Sequence, residues 1–377
     1  MLPFYSVFFV ALLCFFFSKN GKSTSLMFVC FLYTALFVGL GDMIGGYDRY
    51  IYGEVFDRIA DEIRGEGNVD RLRRFVNGSE YGYFAWQIIV AQITANRYVF
   101  IFLTTIAMYV LYVYCFKLYL KNYQLAFLIF IGFFYYFTMT YLRQVIAVGI
   151  VWLGVRYIWE RKFIKFISFV LLGATFHSSA LIMLIMYFIP IRKYSKSKVL
   201  MFLFACLIIG LLPFAQIVMP FVGDVLSQEE RLSGYAMEKQ GFRIEYVLEV
   251  MFCVWVSFVN YEKIGGSAKT LVFQNMLFAF CAVLLVFMRF GQGGRLGWFF
   301  FVSLLYLFPL YCEEAKTAKW LKPLVILVCF LLFARVTTSW GPMHAPYKTF
   351  LTNGRPSGFI YDTFEYDENY TINKMYR

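Results

Sequence analysis

Residues 141–198 read YLRQVIAVGIVWLGVRYIWERKFIKFISFVLLGATFHSSALIMLIMYFIPIRKYSKSK. Two basic turns in this stretch, at 156–165 and 192–198, enclose a largely apolar segment with His177 near its middle. Lysine and arginine collect in short loops on the cytoplasmic side of a membrane. Both ends of residues 163–191 are therefore expected on that side, so the chain enters the membrane there and returns.

The two arms of this segment are too short to cross a bilayer. Twelve or thirteen residues on each side of His177, at about 1.5 Å per helical residue, reach about 18–20 Å, whereas the hydrocarbon core is about 30 Å thick. We predict a broken helical hairpin with His177 near its tip. Non-helical backbone at that depth survives only where it is buried in protein or lines a watery cavity, so the tip is expected to form the floor of a cleft. The alternative is a packing turn that holds a hydrogen-bonded histidine.

The composition is that of a polytopic integral membrane protein. Hydrophobic residues make up 61% of the chain and charged residues 15%, a balance outside the soluble range, so an all-α membrane fold is predicted. Most of the formal net charge of +12 falls in short loops between apolar spans, which the positive-inside rule explains without nucleic acid. The eight cysteines lie in or beside apolar spans without metal-ligand spacing, and are predicted to be small core residues.

The apolar spans predict a transmembrane domain over residues 1–339, with about ten full helices plus the broken hairpin and with both termini outside. Single spans are expected at 98–116, 125–137 and 296–311, among others. Residues 2–17 have no basic n-region and no small-residue cleavage site, so they are expected to be a retained span. A polar tail over 340–377 is expected on the outer, periplasmic side.

Two outer loops are expected within that domain, at 41–96 and 220–243. In the first loop, apolar residues recur every four positions from Ile51 to Ile63, which predicts an amphipathic helix along the outer surface. Its charged face is expected to carry Asp57, Arg58, Asp61 and Glu62. Residues 81–94 are apolar but too short to span, so a half-inserted or interfacial helix is expected there.

Three arginines begin or end predicted spans on the outer side: Arg143, Arg289 and Arg295. A guanidinium forks two hydrogen bonds onto phosphate oxygens and keeps its charge when partly desolvated. None of the three has an obvious acidic partner nearby in sequence, so with His177 they are candidates for one anion-binding pocket. The alternative for each is an arginine that extends to the lipid headgroups.

The carboxylates expected on the same side include Asp48 and Glu80, each close to a membrane segment and flanked by tyrosines. A transfer reaction at such a site needs a base, and aromatic side chains stack on sugars, although tyrosine is equally typical of the membrane interface. The sequence contains no HExxH, GxSxG, Walker or dinucleotide-binding fingerprint, which removes the enzyme classes that depend on them.

Several short blocks resemble the EpsG/Wzy-type polysaccharide polymerases of bacteria. The blocks are Arg143-Gln144-Val-Ile-Ala147, Phe176-His177-Ser178-Ser179-Ala180-Leu181, Asp48 with Tyr52, Glu80-Tyr81-Gly82-Tyr83, Arg295 before an aromatic span, and Pro346-Tyr347. The arginine that follows Asp48 departs from the family's pattern, in which tyrosine is commoner. The resemblance covers most of the chain by layout, and the Arg-Gln and Phe-His-Ser-Ser blocks are its most specific part.

The resemblance implies a GT-C-like, metal-independent glycosyltransferase of the bacterial inner membrane, multi-pass, with an active site that faces the periplasm. Such an enzyme joins oligosaccharide repeat units carried on undecaprenyl diphosphate, and makes O-antigen, capsule or exopolysaccharide. No cofactor is expected, because a diphosphate leaving group needs charge neutralisation, which arginines supply. One base then suffices, whereas glycoside hydrolysis usually takes two carboxyl groups.

The roles implied by this resemblance divide the candidates into three sets. Arg143, Arg289 and Arg295 are expected to bind the diphosphate. His177, Asp48 or Glu80 activates the acceptor hydroxyl, with His177 as a base or as a donor to the diphosphate. Contacts to the sugar or acceptor are expected from Tyr52, Tyr81 and Gln144. The expected partners are the lipid-linked oligosaccharide, the bilayer, a chain-length regulator and a flippase.

Three other functions remain open from the sequence. An O-antigen ligase uses a similar donor, but a strain that lacks it carries no capped repeats, whereas a polymerase mutant keeps single ones. A flippase or other transporter of lipid-linked oligosaccharide needs polar groups along its whole path, and here they cluster on the predicted outer half. A purely structural subunit predicts that changes at Arg143 and His177 leave glycan length unaltered.

Overall fold

The computed structural model describes residues 2–41, 47–65, 72, 74–76, 80–214, 217–218, 241–263, 265–290, 292–313, 318–340 and 347–351. Every multi-residue element of secondary structure in these ranges is a helix. One isolated antiparallel β-bridge joins Gly41 to Thr349. The predicted all-α class is therefore confirmed for this part of the chain. All eight cysteines are buried, as expected for small core residues.

The chain forms two compact units, Met1–Gly149 with Lys319–Arg377, and Ile150–Ala318. The first unit contains α1 (Leu2–Phe17), α2 (Thr24–Leu40), α3 (Tyr47–Arg64), α4 (Tyr81–Ile93), α5 (Arg97–Tyr119), α6 (Tyr123–Phe133), α7 (Tyr135–Thr140) and the start of α8 (Leu142–Gly154). The second contains the end of α8 and then α9 (Arg156–Trp159), α10 (Phe163–Phe176), α11 (Ile185–Phe188), α12 (Lys196–Leu211), α13 (Ile244–Val259), α14 (Ala268–Val286), α15 (Gly293–Gly297) and α16 (Val302–Cys312). Helix α17 (Ala318–Ser339) belongs to the first unit from Lys319 onward.

Polar residues in the turns of the first unit start its helices. Asn96 accepts hydrogen bonds from the backbone nitrogens of Tyr98 and Val99, and Asn122 accepts one from Leu125. These N-caps satisfy donors that have no partner within the helix. The apolar helices α5 and α6 therefore begin at positions that the sequence marks.

Aromatic packing forms the core of the first unit. The Phe31 ring on α2 lies 4.8 Å, between centroids, from both Phe116 on α5 and Phe127 on α6, with edge-to-face geometry. Such pairs add about 0.5–1.5 kcal/mol each beyond the area that they bury. Three helices that are distant in sequence are thus joined at one residue.

A buried arginine joins the start of α3 to the end of α2. Arg49 is 1% exposed, and its Nη2 donates to the carbonyl oxygens of Val38 and Gly41 at 2.9 and 3.0 Å, while Nη1 donates to Met139 O at 3.4 Å. The last carbonyls of a helix have no partner within it, and a cation at the C-terminus also suits the helix dipole. Arg49, the residue that departs from the family's pattern, is therefore a structural cation.

Residues 347–351 pack on the same end of α2. The Tyr347 hydroxyl donates to Phe37 O at 2.8 Å and its ring stacks on Phe37 at 4.2 Å, while the backbone nitrogen of Phe350 donates to Leu40 O at 3.1 Å. The beginning of the predicted tail is therefore part of the first unit. The remainder of the tail beyond 351, and most of the predicted loop 220–243, lie outside the described residues.

The predicted amphipathic helix is α3, and it buries Phe56 and Ile59 completely while Arg58 and Asp61 are exposed. The expectation that Asp57 lies on the charged face is wrong. Asp57 is buried and forms an ion pair with Arg97, whose Nε lies 2.6 Å from Oδ2. The reason is that α3 packs against α4 and α5, so its buried surface is wider than a stripe repeating every four residues.

The second unit contains the predicted broken hairpin. Helix α10 ends at Phe176, His177 is extended (φ −157°, ψ 120°), and a 3-10 segment follows over Ser178–Leu184. At the open end of the hairpin, Arg161 Nη1 donates to Tyr187 O at 2.9 Å, and the rings of Phe163 and Tyr187 lie 4.9 Å apart. The break at His177 is therefore confirmed, and its depth in a membrane stays a prediction.

The number of full crossings, predicted to be about ten, is not confirmed. Four described helices are long and apolar enough to cross a membrane, or five when the pair Gly293–Phe300 and Val302–Cys312, bent by 59°, counts as one span. The predicted span 98–116 lies in one of the four, Arg97–Tyr119. The span predicted at 125–137 is divided at Phe134 into α6 and α7, and several other predicted spans are apolar helices of 10–17 residues.

Candidate functional site

An ion pair between Glu80 and Arg143 lies inside the first unit. Glu80 is the N-cap residue of α4 and is 1% exposed, and Arg143 lies in the first turn of α8 with a side chain that is 11% exposed. Arg143 Nη1 donates to Glu80 Oε2. No acidic partner was visible near Arg143 in the sequence, because its partner lies 63 residues earlier in the chain.

Two tyrosines enclose this ion pair. The Arg143 guanidinium carbon lies 5.3 Å from the centroid of the Tyr52 ring, within the range of a cation–π contact. The Tyr52 ring in turn meets the Tyr83 ring edge to face at 5.9 Å. The positive and negative charges balance, so the site as a whole is polar and close to neutral.

A cavity of about 100 Å³ opens beside the pair. Its lining residues come from α3, α4, α8 and the segment before α4, namely Ile51, Tyr52, Val55, Phe75, Glu80, Tyr83, Phe84, Gln87 and Arg143. Most of the wall is apolar, and its polar groups come from Tyr52 on α3, from Glu80, Tyr83 and Gln87 at the start of α4 and along it, and from Arg143 on α8. This is the usual composition of a small-molecule site, in which a few placed polar groups fix orientation.

Tyr83 and Gln87 are the two polar cavity residues for which the sequence predicted no role. Both are buried, at 4% and 2% exposure, and the Tyr83 hydroxyl and the Gln87 amide nitrogen have no hydrogen-bond partner among the described residues. Burial raises the pKa of the Tyr83 hydroxyl well above its usual value, so it stays protonated. The signal that could have found them is helical spacing, since Tyr83 and Gln87 follow Glu80 by three and seven positions and share its face.

The other predicted residues of the first unit lie around the cavity without lining it. Asp48 is half-buried in the first turn of α3, one turn before Tyr52 on the same face. Tyr81, next to Glu80, is 63% exposed. Gln144, next to Arg143, is 1% exposed. Of the six predicted residues in this unit, the fold brings Glu80, Arg143 and Tyr52 together.

The second unit holds His177, where the hairpin breaks. Its Nδ1 accepts from the backbone nitrogen of Ser179 at 3.3 Å and lies 2.7 Å from the Ser179 hydroxyl. Because Nδ1 is an acceptor here, the neutral ring carries its proton on Nε2. The side chain is half-buried, which is compatible with a turn histidine and with one that meets a substrate.

The two other predicted arginines are also in the second unit. Arg289 is exposed, and its Nη1 donates to Leu211 O at 2.8 Å. Arg295 is half-buried, and its Nη1 donates to Gln292 Oε1 at 2.8 Å. The 3-10 segment that follows His177 packs against Trp298–Phe300, which lies just after Arg295.

Nowhere in the described ranges do three or more His, Cys, Asp or Glu side chains form a group that could hold a metal ion. The charged groups beside the cavity are instead the guanidinium of Arg143 and the carboxylate of Glu80.

These features define a helical membrane protein with a buried, charge-paired polar site. The family model of the EpsG family matches residues 26–349, and the chain belongs to that family. The matched range includes both the cavity and the hairpin around His177. Membership in this family indicates that the protein is a polysaccharide polymerase of a membrane, with glycosyltransferase-like chemistry. No curated protein and no solved structure matches the chain.

Proposed function

We propose that this protein is a membrane glycosyltransferase of the GT-C type that polymerises oligosaccharide repeat units carried on undecaprenyl diphosphate. It works without a metal, in the inner membrane of a bacterium, with its active site toward the periplasm. The product is an O-antigen, a capsule or an exopolysaccharide. A flippase that supplies the repeat units and a chain-length regulator are its expected partners.

The observation that carries this proposal is the Glu80–Arg143 pair beside the cavity. Removing one member of a buried ion pair without replacing it costs about 3–5 kcal/mol. A group that displaces Glu80 from Arg143 must therefore be a strong anion. A diphosphate meets that condition, and the guanidinium presents five donors in a fork that fits phosphate oxygens.

If the diphosphate replaces Glu80 as the partner of Arg143, the leaving group is bound and the base is freed in the same step. When the diphosphate oxygens take the guanidinium of Arg143, the Glu80 carboxylate loses its counter-charge and becomes a stronger base. The acceptor hydroxyl oxygen then attacks the anomeric carbon of the donor sugar, and the bond from that carbon to the diphosphate oxygen breaks. The bonding electrons leave with the diphosphate, and the hydroxyl proton passes to the base.

The remaining candidates keep their predicted roles within this proposal. His177 or Asp48 is the alternative base, and His177 can also donate to the diphosphate. Arg289 and Arg295 bind the diphosphate. The aromatic and amide side chains of Tyr52, Tyr81 and Gln144 contact the sugar or the acceptor.

A deletion strain complemented with variants tests the proposal through the banding pattern of its surface polysaccharide. Wild type restores a full ladder, whereas Arg143→Lys, which keeps the charge but loses the fork, and Glu80→Gln leave single capped repeats. The matched control is Arg58→Lys on the exposed face of α3, which restores the ladder. Each variant is compared at equal protein level in the membrane.

Other results of these experiments would indicate a different function. A ladder that persists after deletion contradicts the polymerase. Loss of every capped repeat indicates a ligase. Purified protein that moves a lipid-linked repeat across liposomes without lengthening it indicates a transporter. The side of the membrane is tested by Tyr81→Cys, because an impermeant maleimide should label that exposed position from the periplasm.

A further inference from the structure

We propose that the cavity beside Glu80 and Arg143 is a subsite for the acetamido substituent of a sugar, bound through Tyr83 and Gln87. This inference rests on the proposed function and names one chemical group of the substrate. The two residues are specificity determinants, while the bond-forming groups remain those described above.

Two buried hydrogen-bond donors line the cavity. Tyr83 Oη and Gln87 Nε2 line the cavity, both side chains are more than nine-tenths buried, and neither atom has a hydrogen-bond partner among the described residues. A buried polar group without a partner is costly, so a native protein that keeps two of them in one cavity needs a reason. A ligand oxygen that accepts hydrogen bonds from both donors would provide that reason.

The two donors are also close together on α4. Tyr83 and Gln87 are four residues apart on α4, so they are neighbours on one face of the helix. The Tyr83 hydroxyl and the Gln87 amide both line the cavity, so they can donate to the same small acceptor. A carbonyl oxygen has two lone pairs and can accept from both.

The rest of the cavity wall is mostly apolar. Ile51, Val55, Phe75 and Phe84 line the same cavity, and they offer contacts to a methyl group. An acetamido substituent combines a carbonyl oxygen with a methyl group in one planar unit. A hydroxyl substituent would leave the apolar part of the wall unfilled.

The charge and the size of the cavity also fit an acetamido group. In the resting protein Arg143 is paired with Glu80, so the two charged side chains among the described lining residues balance each other, and a carboxylate substituent would face the Glu80 carboxylate. The volume of about 100 Å³ exceeds the roughly 10–15 Å³ that one water requires, but is below the roughly 150 Å³ of a cavity that holds benzene. The space therefore fits a substituent, with the sugar ring outside it.

The test uses the purified full-length protein in lipid nanodiscs and saturation-transfer NMR. The probes are the methyl glycosides of N-acetylglucosamine and N-acetylgalactosamine, each beside its glucose or galactose counterpart. We expect saturation at the acetyl methyl of at least one probe, and tighter binding of that probe than of its hydroxyl counterpart. Gln87→Leu and Tyr83→Phe each weaken it about fivefold to tenfold, the effect of one hydrogen bond. The matched control is Gln92→Leu, an exposed glutamine on the same helix, which leaves binding unchanged.

Two results would overturn this subsite. One is equal binding of the acetamido probes and their hydroxyl counterparts. The other is a melting temperature that rises in Tyr83→Phe without any change in probe binding, which is the behaviour of a cavity with a packing role only. The deletion strain judges the polymerase separately. A ladder that is lost on deletion, together with probe binding that both subsite variants leave unchanged, refutes the subsite and leaves the polymerase in place.

Discussion

The buried pair of Glu80 and Arg143 predicts a strongly non-additive effect of mutation on stability. In Glu80→Gln the Arg143 side chain, 11% exposed, keeps its charge but loses its counter-ion. Breaking a buried pair in this way costs about 3–5 kcal/mol, a large part of the stability of a typical domain. Arg143→Met is expected to cost a similar amount, because the buried carboxylate of Glu80 then loses its ion pair with Arg143.

The double variant should recover most of this loss. With Glu80→Gln and Arg143→Met together, no unpaired charge is buried, and replacement of a buried pair by neutral side chains of similar size is often neutral or better. The coupling free energy of the cycle is therefore expected to be on the order of 3 kcal/mol. The measurement is denaturant unfolding of the full-length protein in mixed micelles, with the ladder recorded in parallel.

An exposed pair on the same chain provides the control. Lys162 Nζ lies 2.7 Å from Glu160 Oε2, and Glu160→Gln is expected to leave the unfolding free energy unchanged. Additive losses in the double variant of Glu80 and Arg143 would refute the reasoning, since they would mean that the two charges do not depend on each other. The double variant should in addition be inactive although stable, which separates the catalytic role from the structural one.

Two further predictions concern the core of the first unit. Arg49→Met leaves buried carbonyls at the end of α2 without a donor and should cost on the order of 3 kcal/mol, whereas Arg58→Met on the exposed face should stay within about 0.5 kcal/mol. Gly132→Ala would place a Cβ atom 2.8 Å from the Cα of Cys329 on α17, so a net loss of about 1–3 kcal/mol is expected although alanine favours a helix. At Gly265 nothing lies within 4 Å of the added carbon, and the same substitution should be neutral; equal effects at both glycines would contradict the contact.

Much of the fold was predictable because it depends on local chemistry. Basic turns on both sides of an apolar segment predicted the hairpin, and the polar run around His177 predicted where it breaks. Apolar residues every four positions predicted α3. The bends at Phe134 and within 293–312 were not predictable, because the flanking residues are as apolar as those inside the helices.

The candidate site was predictable as a set of residue types but not as an arrangement. Glu80, Arg143 and Tyr52 were selected as a base, an anion binder and a sugar contact, and the fold places them around one cavity. Their pairing escaped prediction because 63 residues separate Glu80 from Arg143. Tyr83 was passed over in favour of Tyr81, since two tyrosines in one short block look alike until the helix decides which of them is buried.

By itself, the sequence determined the membrane class, the helical content and the break at His177. All three follow from hydrophobicity, charge and chain length over a few tens of residues. Only the tertiary structure decided that Arg143 has a counter-ion, that Asp57 is buried, and that two polar groups on α4 share a cavity. The physical reason is that burial and ion pairing belong to the space between helices, where residues distant in sequence displace water together.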